Sequence, residues 1–304
     1  FILSFMTETV KADLHAHGPI GFQDHWLCAQ GYEGRNLLQL FVDAAITRGI
    51  NLCAVTSQER EIPHGSVHDR FGYLTQWRYT STLRPGYTHN RVGKKVSVVE
   101  KMPGIEGDFK RVIFVNSQTV MAREGDRVID HLVIGSNSVP NDMSLQDTLT
   151  YCSDRGLVQI AEHPFVTLHR GVGEDLLERF LQQYDAIEGH NAQLTLPRFL
   201  SRFPFLGQYS RAANDRAQIF AHHHRKPAIA VSDAHRIEDI GIAYTEFRED
   251  LDLSSEEALI ACIKQRLRSG RFTTNKSYEA LHDWVSWVLP FKKGTLFRRE
   301  AKGV

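Results

Sequence analysis

The chain has 304 residues, 42% of them hydrophobic and 24% charged, the balance of an ordinary globular protein that can bury a sizeable core. Thirty-six Lys and Arg face 36 Asp and Glu, so no charge excess draws the chain to nucleic acid or an anionic membrane surface. No apolar run approaches the ~20 residues of a membrane span, and the 15 histidines are the compositional oddity.

Taken in chain order, the start (Phe1 to Met6) is apolar but lacks the basic flank of a signal peptide. Val10 to His17 alternates like a strand, and strict alternation puts Asp13, His15 and His17 on one face. Two imidazoles so placed can ligate one metal ion, with the carboxylate beside them. Residues 36–46 have helical periodicity, with Asn36 as N-cap and Gly49 as stop, and Ile50 to Val55 reads as the next strand, a parallel βαβ unit. Residues 59–95 are polar, aromatic and basic, and read as an elaborated loop beside the site. Strands are expected at 96–99, 112–118 and 128–134, with Gly125-Asp126 as a hairpin turn between the last two.

From residue 145 the pattern alternates helix and strand: helices at 145–151 and 175–182, strands at 157–161 and 186–188, and a largely helical stretch at 196–222 broken near Pro204. A strand, Pro227 to Val231, leads into Ser232-Asp233-Ala234-His235, and Ser254-Ser255-Glu256-Glu257 opens a last helix that ends at Gly270. Parallel strands with intervening helices predict an α/β barrel with its chemistry at the C-terminal strand ends. The tail, 281–304, reads as an apolar helix followed by a basic segment. Cys28, Cys53, Cys152 and Cys262 have no C-x-x-C spacing and read as reduced thiols of a cytoplasmic protein.

More histidines fall at predicted strand ends: His131 in Asp130-His131-Leu132, His163 in Ala161-Glu162-His163-Pro164, and His190 beside Glu188. Together with the D-x-H-x-H opening, the S-D-A-H stretch and Gly241-Ile242-Ala243-Tyr244-Thr245, these resemble the polymerase-and-histidinol-phosphatase (PHP) family of metal-dependent phosphoesterases. The resemblance covers residues 10–276 and places a PHP-like domain at 8–280. It implies a distorted seven-stranded, TIM-like (β/α)7 barrel with up to three metal ions at its mouth. By position it assigns His15, His17 and Asp233 to a first ion, His131 and His163 to a second, and His235 to a third.

The chain departs from the family pattern twice. Thr56-Ser57-Gln58 stands where the family has Thr-Asp-His. The glutamate that bridges two metals in the family aligns either with Gln118 or, through Pro103-Gly104-Ile105-Glu106, with Glu106. Both losses argue for one or two ions, three being the upper bound; zinc, manganese and iron all suit such ligands. Glu61, His64 or His68 would be the replacements for a lost ligand. The implied function is a metal-dependent hydrolase, most simply a phosphoesterase acting on a small phosphorylated substrate, with His190 or His235 protonating the leaving oxygen and Arg170 and Arg123 as phosphate clamps. The alternatives are a non-catalytic metal- or ligand-binding domain and a hydrolase of a non-phosphate bond.

Overall fold

The computed structural model describes residues 9–18, 31–32, 34–58, 69–102, 111–203, 207, 209–248, 251–283 and 285. The elements are β1 (Val10–Ala16), α1 (Leu37–Arg48), β2 (Leu52–Ser57), α2 (Arg70–Leu74), α3 (Trp77–Thr80), β3 (Tyr87–Val92), β4 (Val96–Lys101), β5 (Arg111–Glu124), β6 (Arg127–Ile134), α4 (Leu145–Asp154), β7 (Val158–Ala161), α5 (Glu174–Phe180), β8 (Ala186–Asn191), α6 (Arg211–His223), β9 (Ala228–Val231), β10 (Tyr244–Phe247), α7 (Glu256–Ser269) and β11 (Phe272–Asn275). Asn36 caps α1 by accepting from the Gln39 N–H, and Gly49 ends it in the left-handed conformation.

The strands form one sheet in the order β11-β10-β1-β2-β5-β6-β7-β8-β9, with the β3–β4 hairpin attached to β5. It curls into a nearly closed barrel. At the end that carries the site, Ala16 bridges Ala234, the Asp233 N–H donates to His15 O at 2.8 Å and the His17 N–H to Ala234 O at 2.9 Å. The barrel is not built from parallel strands throughout, and the hairpin expected at Gly125-Asp126 is present. The pairs β1–β2, β2–β5, β7–β8 and β8–β9 are parallel, but β6 runs antiparallel to both β5 and β7. The cause is local: Gly125-Asp126 leaves room for a turn only, and a parallel return needs a crossover of a dozen residues or more. The seven-strand count is therefore not reproduced as a simple (β/α) repeat.

Within the stretch read as a loop, the described residues fold into α2, α3 and the first hairpin strand. Of the tail, only 281–283 and 285 are described.

Alternation sorts the core. Ala12 and Leu14, Leu52 and Ala54, Ile113 and Val115, Leu132 and Ile134, Val158 and Ile160, and Ile229 and Val231 meet in one cluster enclosed by the sheet, with Leu259, Ile260, Ile263 and Leu267 of α7 packed on it. The alternate residues face outward. Cys53, Val55 and Phe114 lie under α1, and Ala122, Ile129, Ala161 and Ile187 lie under α4, α5 and α6.

Candidate metal centre

The site caps the enclosed core. Continuing the inner face of β7 past Ile160 gives Glu162; of β8 past Ala186, Glu188; of β9 past Val231, Asp233. In β6, two residues before Leu132, it gives Asp130, because this strand starts at the end where its neighbours finish. On β1 the alternation breaks. Val10, Ala12 and Leu14 face inward but Ala16 faces outward, and the pairing with β2 slips between Asp13 and Ala16. This β-bulge turns His15 and His17 into the barrel mouth.

Asp13 does not join them. Its carboxylate accepts from Ser232 Oγ at 2.5 Å, the Gly241 N–H at 2.8 Å and the Ser232 N–H at 3.1 Å. Burial pushes it up to about 6 against those donors. Its place in the fold is to tie β1 to the loops after β9.

Two groups of ligand-type atoms result, each within 4.8 Å: His15, His17 and Asp233, and Asp130, Glu162 and His163. His15 Nε2 and His17 Nε2 lie 2.9 Å apart, and Asp233 Oδ1 is 3.4 Å from each. The opposite ring nitrogens are already engaged: His15 Nδ1 meets Glu188 Oε1 at 2.7 Å, and His17 Nδ1 meets the Thr56 carbonyl at 3.1 Å. Since both acceptors require N–H at Nδ1, both Nε2 atoms carry lone pairs, and lone pairs that close need a cation or a proton between them. Without a metal, that cation is a proton on His15. Burial opposes it, but Asp233, Glu162 and Glu188 hold His15 well above the usual imidazole range. Burial and the charge on His15 push His17 well below it.

Glu162 stands between the groups, its Oε1 3.2 Å from His163 Nε2 and 3.6 Å from His15 Nε2. Its Oε2 has no hydrogen-bond partner although the residue is buried, which is costly unless a cation or water meets it. The donor set therefore fits divalent metal. One residue from each group, His163 (φ 23°) and Asp233 (φ 52°), has a left-handed backbone at a strand end, strain of a kind that clusters at functional sites. Asn191 braces the floor, donating to Glu188 Oε2 at 3.2 Å and Asp233 Oδ2 at 3.0 Å.

The other residues singled out in the sequence sit as follows. His131 points outward, edge-on to Tyr184, and burial lowers it to about 4; Asp130 takes the inward position beside it. Gln118 also faces outward, its amide bonded to both the N–H and the carbonyl of Val139. His190 falls at a register shift in β8 and turns to the Ser277 carbonyl at 2.6 Å and the Tyr278 ring, with burial lowering it to about 4. His235 lies against His17, ring centroids 4.8 Å apart, with Nδ1 on the Asp233 carbonyl. Arg170 Nη1 is 3.7 Å from Asp130 Oδ1, whereas Arg123 pairs with Asp142 on the surface. Ser57 accepts from the Arg70 N–H. Glu106, Glu61, His64 and His68 lie outside the described residues.

Sequence reasoning missed Asp130 and Glu162, whose signal was position on an inward face, and Arg70, which had none. Arg70 is 2% exposed, its Nη1 donates to the His17 carbonyl at 2.8 Å, and burial lowers it to about 10 against the field of Asp233.

A PHP-associated family model matches residues 211–266, from α6 through the Asp233–His235 loop into α7. Over these residues the chain is similar to the PHP family. In fold it is similar to PsfC from Pseudomonas syringae PB-5123 (14% identity, TM-score 0.54, covering 97% of this chain and 99% of that one). It is similar also to a two-domain protein from Bacteroides vulgatus ATCC 8482 that contains a predicted PHP-like metal-dependent phosphoesterase. That match has 14% identity and a TM-score of 0.51, and covers 90% of this chain and 66% of the other. No curated protein sequence matches significantly. No helix among the described residues is long and apolar enough to cross a membrane.

Proposed function

We propose that this PHP-like chain is a metal-dependent hydrolase of phosphate esters. The observation that carries the reading is the pair of Nε2 atoms 2.9 Å apart, each with its far nitrogen fixed by an acceptor and with Asp233 beside both. His15, His17 and Asp233 would hold one ion. Asp130, Glu162 and His163 would hold another. Ions there supply Lewis acidity toward a phosphoryl oxygen and lower the pKa of a bound water.

The chain's own groups do the rest. Glu188 and the Thr56 carbonyl fix the imidazole tautomers. Arg170, partly exposed beside Asp130, is placed to take a phosphate oxygen. His235 would be the imidazole that carries a proton between the attacking water and the leaving oxygen: its Nδ1–H is held by the Asp233 carbonyl, and burial lowers its pKa, so its Nε2 carries a lone pair and takes the water's proton before it can give one up. His190 is not placed to do so, since its Nε2 is committed to Ser277.

The test is turnover of a panel of phosphomonoesters and diesters by protein loaded with zinc, manganese or iron. Metal-dependent hydrolysis that falls at least about a hundredfold in His17→Ala supports the reading. Metal-loaded protein that turns over none of the panel overturns it.

A further inference from the structure

The loop that follows β8, from Ala192 to Leu196, is held at both ends and in the middle. Asn214 of α6 accepts the Asn191 N–H and donates to the Asn191 carbonyl, both at 2.9 Å. The Glu279 N–H donates to the Ala192 carbonyl at 3.1 Å, Leu194 packs among residues of α5 and α6, and the Arg211 N–H donates to the Leu196 carbonyl at 2.9 Å.

In this fixed loop two polar side chains are buried without partners. Gln193 is 6% exposed and Thr195 3%. Neither Nε2 nor Oε1 of Gln193, nor Oγ1 of Thr195, has a hydrogen-bond partner among the described residues. Buried polar atoms in native proteins are paired almost everywhere, and an exception costs stability unless a ligand or an ordered water meets it.

Asn191 sets where these groups stand relative to the metal centre. Its Oδ1 accepts the Gln193 N–H at 2.9 Å, and its Nδ2 donates to Asp233 Oδ2 at 3.0 Å. One amide thus spans from the Gln193 backbone to the first ligand group. His235 is on this side too, with Nδ1 on the Asp233 carbonyl, whereas Arg170 lies against Asp130 of the other group. Gln193 therefore belongs with the imidazole that serves the leaving oxygen, and the departing alcohol is on that side. The side-chain chemistry restricts the ligand further. Amide and hydroxyl offer donors and acceptors but no charge. An anion would meet the Oε1 acceptor and an ammonium the Nε2 donor, each unfavourably, while hydroxyl groups donate and accept and can satisfy all three atoms.

We propose that Gln193 and Thr195 bind the alcohol half of the ester and select alcohols that carry further hydroxyl groups, as polyol phosphates do. This selection rests on the phosphoester reading above and names the half of the substrate which that reading leaves open. An analogue without the hydroxyls leaves the buried amide unpaired in the complex, which is the situation in which a site discriminates most strongly.

The test is kcat/KM of the metal-loaded full chain on matched phosphomonoesters: glycerol phosphate against propyl phosphate, erythritol phosphate against butyl phosphate, and ribitol phosphate against pentyl phosphate. The wild type should favour the polyol ester by about tenfold or more in at least one pair. Gln193→Met, close in volume but without the amide, should bring that ratio to about one, and Thr195→Val should lower it by about threefold or more, with bound metal per chain unchanged in both. The Tm of substrate-free Gln193→Met should hold or rise, because the variant removes an unpaired buried amide. A fall of about 4 °C or more assigns that amide to the fold, through buried water, and overturns the selection. Variants that slow both members of a pair equally overturn it as well. Turnover of both members of every pair without preference in the wild type overturns the selection and leaves the phosphoester reading intact. No turnover of any ester overturns both.

Discussion

At the residue scale, the centre is built from what holds each ligand as much as from the ligands. Glu188 holds His15 Nδ1 and also accepts the His163 N–H at 2.8 Å, so one carboxylate orients both groups. Glu188→Gln should therefore leave the fold intact and weaken metal binding by about 10- to 100-fold, read by competition with a fluorescent chelator. The protonation of His163 gives a pH prediction for chelated protein. Burial lowers its pKa, but the hydrogen bond and charge of Glu162 outweigh burial and raise it to about 9. A raised imidazole contributes stability that is complete below its unfolded value of about 6.5 and disappears as pH rises through about 9. Chelated protein should lose Tm across that window, and metal-loaded protein should not, because a ligating imidazole is already neutral. His15, His17, His163 and Asp233 were legible from the sequence because histidine is rare enough that several at strand ends stand out. Asp130 and Glu162 carry no such signal, since a carboxylate near a strand end is ordinarily solvated surface, whereas Glu188 stands out beside His190.

At the scale of elements, two departures from regularity decide which side chains enter the site. The bulge in β1 swings His15 and His17 inward while leaving Asp13 outside, so the strict alternation that grouped all three was right for the imidazoles and wrong for the carboxylate. The reversed β6 exchanges His131 for Asp130. The bulge has no composition signature, whereas the reversal of β6 is signalled by the Gly125-Asp126 turn and the helix boundaries by their caps. Ser255 accepts the Ala258 N–H at 3.1 Å as the N-cap of α7, one residue later than the Ser254–Glu257 capping-box spacing implies. Ser255→Ala should cost about 1 kcal/mol. Ile263→Ala, on the buried face of the same helix, should cost about 2–5 kcal/mol through the cavity it leaves. Both are measured by urea denaturation. Gly135, just past β6, has φ 98°, and a Cβ there would come within 2.7 Å of Ile260 Cδ1, so Gly135→Ala should destabilise more than Ser255→Ala in the same assay.

At the scale of the whole molecule, a barrel mouth carrying four inward carboxylates is held together by hydrogen bonds from the chain and by what binds there. Metal should therefore be a stabiliser of the fold as well as a reagent: at a hundredfold excess over Kd an ion adds about 2.7 kcal/mol, seen as a rise in Tm that a chelator reverses and His17→Ala abolishes. The class of fold was legible from motif order and element alternation. Its closure was not, because the bond between the ends of β1 and β9 joins residues more than two hundred positions apart. The central claim is that His15, His17 and Asp233 share a divalent ion, and an anomalous difference map from crystals grown with zinc, collected at the zinc edge, tests it most directly. The account predicts a peak about 2.0–2.2 Å from both Nε2 atoms and from an Asp233 oxygen. A map with zinc elsewhere and no peak between His15 and His17 would contradict it.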